Sequence, residues 1–305
     1  MNVRICVCSV GLAILASAAA APVSAQGQQD FSKVEITTTK ISDSLYALDG
    51  QGGRVGVQVG PNGIFLVDSQ FAPLTDKLVA AIKQISPQPL RFLVNTHVHG
   101  DHTGGNENFA RLGVTIIARP MLRQRLAKPS APAAGGAAPA PAPAGALPVM
   151  TSDSRSAVHL NGEAIELIPL PFAHTDGDTA VKFPNSDALM TGDVFRSVGY
   201  PNIDRNNGGS LKGMLEAFNT LIEAAGPNTK VLPGHGGITN RAAIVAHRDM
   251  AVAVRDRVAK LMKDGRTLPE IVASKPTADF DQRTGNAAQS ADRFVGQVYA
   301  ELGGK

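Results

Sequence analysis

The sequence predicts an α/β fold that opens with an antiparallel sheet and continues with alternating strands and helices. Residues 34–69 alternate apolar and polar side chains between turn signals, which is typical of consecutive hairpin strands. Residues 75–85 carry apolar side chains at helical spacing, and residues 90–94 form a short apolar run expected for a buried strand. Strand, helix and strand in succession indicate the α/β class.

Later segments continue this alternation. Short helices are expected at residues 106–111 and 121–126, strands at 114–118, 164–170, 178–183 and 188–191, and longer helices at 210–225, 241–262 and 291–302. Ser210 is a typical N-cap residue, and Thr267 with Glu270 three positions later matches a capping box. The second half of the chain is therefore expected to contribute a further sheet and a helical end.

The first 25 residues are typical of a secretory signal. Arg4 precedes an apolar stretch, and a small-x-small cleavage pattern ends at Ala25. A transmembrane anchor is the alternative, but the apolar part is short and Pro22 interrupts it. We therefore expect a periplasmic or secreted protein that begins at Gln26, with no stable membrane insertion after cleavage.

The mature chain, residues 26–305, is expected to be a single domain with one insertion. Residues 128–148 consist almost entirely of Ala, Pro and Gly. Such a segment has little apolar bulk to bury and too much proline for regular strand pairing. We interpret it as a flexible loop insertion, and whether it acts as a lid stays open.

Composition limits the chemistry. Both cysteines, Cys6 and Cys8, lie in the signal segment, so the mature chain has no thiol for a disulfide, a nucleophile or a metal ligand. Any metal must be held by nitrogen and oxygen. The net charge is small and no basic run occurs, so we expect a small-molecule substrate and no nucleic-acid partner. The oligomeric state stays open.

The segment directly after the strand at residues 90–94 is the richest in chemistry. It places His97, His99, Asp101 and His102 within six residues, beside glycines. In an extended chain His97, His99 and Asp101 project to one side and His102 to another. Three imidazoles and a carboxylate fill a core poorly, because each needs a partner. A metal ion satisfies them together.

Three further residues repeat this pattern of a polar side chain after an apolar strand. They are His174, Asp193 and His235. Each has a glycine close by, which suits a tight turn. In open α/β sheets, loops at the carboxyl ends of strands form the binding crevice. We therefore expect four strand ends to converge on one metal-binding rim.

With these residues, the chain resembles the metallo-β-lactamase superfamily, whose His-x-His-x-Asp-His motif stands here at residues 97–102. The resemblance covers residues 34–271. It implies a four-layer αβ/βα sandwich with the metal site at the edge between the two sheets. It also implies roles for the seven residues: a first metal held by His97, His99 and His174, a second held by Asp101, His102 and His235, and Asp193 bridging both. Asp68 corresponds to an acid that orients a ligand in the family, although a turn-capping role is equally open.

The implied cofactor is a pair of Zn²⁺ ions, with iron or manganese also compatible with imidazole and carboxylate ligands. Two such cations about 3.5–4 Å apart share a hydroxide that attacks a carbonyl or ester carbon. Asp101 is the candidate catalytic residue, placed to accept or relay the proton. We therefore expect an exported dinuclear zinc hydrolase that opens an amide or ester bond.

The substrate stays open at this point. The layout is most similar to the class B β-lactamase branch, but Asp193 stands where two of its subclasses place a cysteine. A bridging Asp is typical of glyoxalase II-like enzymes, lactonases and sulfatases. A periplasmic lactonase or other ester hydrolase is therefore the alternative, and a non-catalytic metal-binding protein is a further one.

Several remaining polar and aromatic residues have less specific signals. His159 and His247 have no ligand-type neighbour, so we expect surface or half-buried positions for both. Asp176 and Asp178 follow His174 and are expected to be turn residues. Tyr200 belongs to a segment, 195–210, expected beside the metals, where it either contacts substrate or packs in the loop.

Overall fold

Consecutive hairpins build the first sheet, as the alternation of residues 34–69 predicted. The computed structural model describes residues 30–130, 138–285 and 287–304, so the expected signal at residues 1–25 and residues 131–137 of the insertion lie outside the described residues. The antiparallel strands are β1 (Thr37–Lys40), β2 (Leu45–Asp49), β3 (Val55–Gln58) and β4 (Ile64–Val67).

The first sheet then continues with parallel strands joined by helices. The elements are α1 (Thr75–Ile85), β5 (Leu90–Val94), α2 (Gly100–Thr103), α3 (Asn106–Arg111), β6 (Thr115–Ala118), α4 (Pro120–Ala127) and β7 (Met150–Thr151). Strand order in this sheet follows the sequence from β1 to β7, and β4 to β7 pair in parallel. The helix–strand alternation expected from the sequence is confirmed here.

The second sheet comes from the second half of the chain. Its elements are β8 (Ser156–Leu160), β9 (Glu163–Pro169), β10 (Thr179–Phe183), β11 (Ala188–Met190), α5 (Leu211–Ala224), β12 (Lys230–Leu232), α6 (Arg241–Lys263), α7 (Leu268–Ala273) and α8 (Ala288–Glu301). The strand order is β12-β11-β10-β9-β8, with β11 and β12 parallel. The N-cap at Ser210 and the capping box at Thr267 are both present.

Apolar packing arranges these elements in four layers. Between the sheets, the rings of Phe65 and Phe183 meet edge to face, with centroids 6.3 Å apart. Helices α1 and α3 cover the outer face of the first sheet through side chains such as Leu78. Helices α5, α6 and α8 cover the second sheet through buried residues that include Phe218 and Phe294. The four-layer αβ/βα sandwich is therefore confirmed.

The alanine- and proline-rich insertion differs in part from the expected unpacked loop. Residues 144–146 form one turn of 3₁₀ helix, and Ala146 is buried. The Asn106 side chain donates to the Ala146 carbonyl at 3.1 Å, and Arg123 donates to the Pro148 carbonyl at 2.7 Å. Composition alone missed this because backbone carbonyls, rather than side chains, make the attachment.

No helix within the described residues is long and apolar enough to cross a membrane.

Candidate metal centre

Four loops converge where strands of both sheets end. They follow β5, β9, β11 and β12, and β9 runs in the same direction as β11 because both pair antiparallel with β10. These loops bring together all seven side chains singled out from the sequence, namely His97, His99, Asp101, His102, His174, Asp193 and His235. The predicted convergence of four strand ends is what the structure shows.

The local backbone differs from the extended segment that the sequence suggested. Strand β5 ends at Val94, residues 96–98 bend, and α2 begins at Gly100 directly after His99. The His99 carbonyl accepts hydrogen bonds from the amides of His102 and Thr103. Asp101 and His102 therefore project from a helical turn rather than from a strand. A single turn of four residues carries too short a pattern for recognition by periodicity.

Three imidazoles form the first candidate metal-binding group. Ligand atoms of His97, His99 and His174 all lie within 4.8 Å of one another. His99 Nδ1 lies 3.0 Å from His174 Nε2. The three rings meet nearly edge to face rather than stacking. Their ligand nitrogens converge on one point.

The second group combines a carboxylate with two imidazoles. Asp101 Oδ2 lies 3.1 Å from His235 Nε2 and 3.6 Å from His102 Nε2. Ligand atoms of these three residues likewise lie within 4.8 Å of one another. Asp101 and His235 are about one-fifth exposed, whereas His102 is fully buried. This group therefore contributes two partly exposed side chains to the centre, and the first group contributes one, His99, which is 27% exposed.

Asp193 lies between the two groups. Its Oδ1 is 3.4 Å from His102 Nε2, and its Oδ2 is 3.3 Å from His235 Nε2 and 4.0 Å from His174 Nε2. Asp193 also forms a third triad with His97 and His102, one residue from each group. One carboxylate therefore reaches both groups, as a bridging ligand must.

Unpartnered atoms in this cluster fit a metal. His97 Nε2, His102 Nε2 and Asp193 Oδ1 are buried and have no hydrogen-bond partner among the described residues. Leaving a buried polar atom without a partner costs roughly 1–3 kcal/mol. Three such atoms aimed at one another indicate positions for coordinate bonds, and a donor set of imidazole and carboxylate suits zinc, iron or manganese.

The remaining ring nitrogens are held by the protein. His102 Nδ1 donates to Asp68 Oδ2 at 2.7 Å, and His174 Nδ1 donates to the Asn202 carbonyl at 2.7 Å. His99 Nε2 donates to the Asp204 carboxylate at 2.8 Å. Such contacts orient metal-binding histidines and fix their tautomers. Asp68, for which two roles were open, therefore contacts His102.

Charges within the cluster favour a cation. Burial lowers the pKa of His97 well below its usual range, with His102 and His174 adding repulsion. At Asp193 burial opposes ionisation, but the nearby imidazoles of His102 and His235 hold the pKa of the carboxyl well below its usual range. Burial likewise opposes protonation of His102, yet the carboxylates of Asp68 and Asp193 raise the pKa of its imidazole well above its usual range. The buried carboxylates therefore favour positive charge at the centre, which a bound cation supplies in place of the proton on His102.

Sequence reasoning missed several residues that shape the centre. A side chain at Gly53 or Gly234 would clash with the His102 ring or the Asp193 carboxylate, so both glycines permit close approach of the backbone. Arg54 is buried and donates to the carbonyls of Pro233 and Gly236, which holds the loop of His235. Gly53 and Arg54 lie in no motif and were missed, whereas Gly234 directly precedes His235 and is one of the glycines expected to permit a tight turn there.

Three predictions about the surrounding polar and aromatic residues can be compared with the structure. Asp178 accepts from the Thr175 amide, a turn role as expected. His159 is exposed as expected, but His247 is buried, because it lies on the inner face of α6 between the rings of Phe195 and Phe218.

Tyr200, for which a substrate contact was one alternative, packs instead. The side chain is 1% exposed, and its hydroxyl donates to Asp281 at 2.6 Å. Asp204, by contrast, places the 195–210 segment directly beside the centre through its contact with His99.

An open cavity of about 600 Å³ adjoins the centre at His99. Its other lining residues are polar for the most part and include Asn202, Asp204, Arg205 and Gln297. A cavity of similar volume, about 570 Å³, lies over the second sheet, but none of the seven converging side chains lines it. The cavity at His99 therefore reaches one edge of the centre.

Comparison with known proteins identifies a family model, described as the metallo-beta-lactamase superfamily, that matches residues 49–235, more than half of the chain. Hydroxyacylglutathione hydrolase from Nitrosococcus oceani is 28% identical over 160 residues, or 52% of each chain. The alpha subunit of 2,4-dinitroanisole O-demethylase from Nocardioides sp. is 28% identical over 174 residues, 53% of this chain and 49% of that protein. The chain spans about half the length of these curated relatives.

Solved structures share the fold at lower identity. A metallo-beta-lactamase from Pontibacter korlensis has a TM-score of 0.59 and 21% identity, covering 71% of this chain and 99% of that one. A stereoselective inverting sec-alkylsulfatase from Pseudomonas sp. has a TM-score of 0.65 and 18% identity, covering 87% of this chain and 50% of that one.

Proposed function

The chain belongs to the metallo-β-lactamase superfamily and is a metal-dependent hydrolase; on that premise we propose that it is an exported dinuclear zinc enzyme that opens an amide or ester bond. The observation that carries the proposal is the position of Asp193 between two groups of ligand-type side chains. A structural zinc site closes four ligands around one ion. Seven side chains in two groups with a shared carboxylate instead suit two ions with room for a water and a substrate.

Each side chain has a distinct task in this proposal. When bound, a pair of divalent ions would activate a water and polarise the substrate oxygen. His97, His99 and His174 would hold one ion, and Asp101, His102 and His235 would hold the other. The hydrogen bonds at the far ring nitrogens keep three of these imidazoles oriented through Asp68, Asn202 and Asp204.

Asp101 is the proposed proton acceptor. Its carboxylate lies on the exposed side of the centre, where a substrate enters, and the nearby His235 Nε2 at 3.1 Å stabilises its ionised form. An ionised, partly exposed carboxylate accepts a proton from the attacking water and passes it to the leaving group. The polar lining of the adjoining cavity, including Arg205, suits a substrate with hydrogen-bonding groups beside the scissile bond.

A second candidate is a lactonase or another ester hydrolase with little β-lactam activity. The carboxylate at Asp193, in place of the cysteine of two β-lactamase subclasses, favours it. The relative named hydroxyacylglutathione hydrolase extends the candidates to thioesters. A non-catalytic metal-binding protein is the least supported candidate, since a single bound ion has no need of two groups of ligand-type side chains with a shared carboxylate.

The proposal is tested by hydrolysis rates of the zinc-loaded protein on a panel of β-lactams, lactones, thioesters and phosphodiesters. We expect turnover of an amide, ester or thioester that disappears with chelator and returns with zinc. Turnover restricted to phosphodiesters, or none above the chelated control, would contradict the proposal.

Asp193 separates the two candidates. Asp193→Cys supplies a thiolate that zinc accepts readily. If the natural substrate is a β-lactam, the variant keeps or raises β-lactam turnover; if it is an ester, hydrolysis of the preferred ester falls while zinc content stays high. Asp193→Ala is the control that removes the ligand altogether and should lower both activities.

Export is proposed from the N-terminal sequence pattern alone. The mature protein recovered from its native host should begin at Gln26, and intact-mass measurement checks this. A full-length chain that retains residues 1–25 would contradict export by this route.

A further inference from the structure

A small cavity lies behind the metal centre, on the far side of Arg196. Its volume is about 140 Å³, and none of the seven converging side chains lines it. One end of the Arg196 guanidinium points to the centre, with NH1 3.7 Å from Asp193 Oδ2. Arg196 also lines the cavity, together with His247 on α6 and Arg283 near the start of α8. Arg196 therefore forms a wall between the two spaces.

Two buried donors at this cavity have no partner. Arg196 Nε and His247 Nε2 are buried and make no hydrogen bond to any described residue. The described part of the chain holds nine such side-chain atoms, of which three belong to the metal centre and these two to residues of one small cavity. A guanidinium N–H without an acceptor costs more than a neutral donor. Clustering of such atoms indicates a bound group that supplies oxygen acceptors.

The charge around the cavity has one sign. Arg196 and Arg283 both line it, and no carboxylate belongs to its lining. Arg283 is held in place because its guanidinium donates to the Ala246 carbonyl at 3.0 Å. Burial first, and then the charges of Arg283 and Arg196, lower the pKa of His247 to about 3. His247 is therefore a neutral imidazole that can donate through Nε2, in a positive field whose nearest carboxylate, Asp193, lies on the metal side of Arg196.

We propose that this cavity is a binding site for a small tetrahedral oxyanion, sulfate or phosphate, held by Arg196, His247 and Arg283. The volume suits an ion of that size, and the exposed side chain of Arg283 marks the entrance from solvent. Because Arg196 separates the cavity from the metal centre, the occupant is a free ion rather than part of the substrate. The proposal stands independently of which bond the enzyme hydrolyses.

Occupancy is expected to affect the metal centre through Arg196. With the cavity empty, Asp193 is the nearest anion to this guanidinium. A bound oxyanion competes for the same positive charge and leaves more of the negative charge of Asp193 for the metals. Zinc affinity is therefore expected to rise with anion occupancy, and by linkage zinc should tighten anion binding by the same factor.

The test measures sulfate binding to the metal-loaded full-length protein by calorimetry and by Tm, against chloride at equal ionic strength. We expect saturable binding and a Tm that rises with occupancy. Arg283→Gln should weaken sulfate binding at least tenfold, and Arg283→Lys should weaken it less because it keeps the charge. Arg248→Gln, which removes an α6 arginine paired with Asp249, is the matched control and should bind as the wild type does.

Two results would overturn the proposal. One is the absence of saturable sulfate binding to the wild type. The other is an equal sulfate effect on the wild type, Arg283→Gln and Arg248→Gln, which indicates either general salting or binding at the metals. Repeating the titration with phosphate compares the two tetrahedral ions at the same site.

Discussion

The innermost side chains of the metal centre and those of the helical layer behind the second sheet are similarly buried but differ in chemistry. At the rim, His97, His102 and Asp193 are each at most 5% exposed and carry atoms without a hydrogen-bond partner among the described residues. In the helical layer, Phe218 and Phe294 are fully buried among apolar neighbours. Burial therefore positions reactive groups in one region and stabilises the fold in the other.

This difference predicts a division of effects between stability and metal binding. Polar rim residues cost the fold free energy, since unpaired buried groups are unfavourable, and functional sites commonly carry this cost. Apolar helical residues supply the free energy that offsets it. Substitutions should therefore affect metal binding at the rim and unfolding in the helical layer, with little overlap.

The largest effect on unfolding is expected for Phe294→Ala in α8. Truncating a fully buried phenylalanine costs about 3–5 kcal/mol of unfolding free energy, while the folded fraction should keep its full zinc content. Urea denaturation and elemental analysis measure the two quantities. Phe172→Ala is the control, because Phe172 is 50% exposed and its loss should cost below about 1 kcal/mol. Equal losses in both variants would contradict the division.

The next effect is expected at the rim, for Asp68→Asn. The amide no longer offers His102 an anionic acceptor, so zinc affinity should fall about 10–100-fold. Asn tolerates the left-handed backbone at this position, where φ is 64°, and its remaining oxygen can still accept from the Thr96 amide. Competition with a chelator measures the affinity.

Asp187→Asn is the matched control for this change. Asp187 is also left-handed, with φ of 43°, but its carboxylate accepts from Thr229, away from the metal centre. If Asp187→Asn weakens zinc as much as Asp68→Asn does, the role given to the contact with His102 is wrong.

A smaller effect is expected for His247, a titratable side chain buried in the helical layer. The pKa of His247 is lowered to about 3, below about 6.5 in an unfolded chain. The unfolded state therefore binds more protons between these values, and stability falls as pH falls through this window. From pH 7 to pH 5 the wild type should lose about 2 kcal/mol more than His247→Leu. Urea denaturation at both pH values measures this.

His159→Gln provides the comparison, because it removes an exposed histidine outside the helical layer. A His247→Leu variant with the same acid sensitivity as the wild type would show that His247 is not buried in its neutral form.

The smallest effect is expected for the insertion. Replacing residues 129–141 with a short Gly-Ser link removes the part before the packed turn at Ala144–Ala146 and changes loop-closure entropy only weakly. Tm should move by no more than about 2 °C, about 1 kcal/mol or less for a chain of this size. Extending the replacement through Pro148 should lower Tm further, because Asn106 and Arg123 lose their acceptors. Equal effects of both replacements would contradict the packing of this turn.

The two regions also differ in how far the sequence predicted them. Helix α1 was predicted with its observed bounds, because its apolar side chains recur at helical spacing. The motif of residues 97–102 was recognised because four ligand-type residues are contiguous. Asp204 was not recognised as a partner of His99, since 105 positions separate them in the sequence. Partners from distant segments need the fold before they can be identified.

Short elements were also difficult to predict from the sequence. The strand β8 was missed because Ser156 and His159 are not typical of a buried strand, and its pairing with β9 is a tertiary effect.

The burial of His247 was missed although Ile244 and Met250, three positions away on either side, are buried on the same helix face. Periodicity indicates the buried face of a helix, but residue type alone suggested a more exposed position.

The central claim, two metals shared by seven side chains, is tested most directly by elemental analysis of the purified mature protein. We predict about two zinc equivalents per chain in the wild type and about one in Asp193→Ala, with activity lost together with the second ion. No more than one tightly bound metal in the fully active wild type, or an unchanged stoichiometry in Asp193→Ala, would contradict the assignment of Asp193 as the residue that joins the two groups.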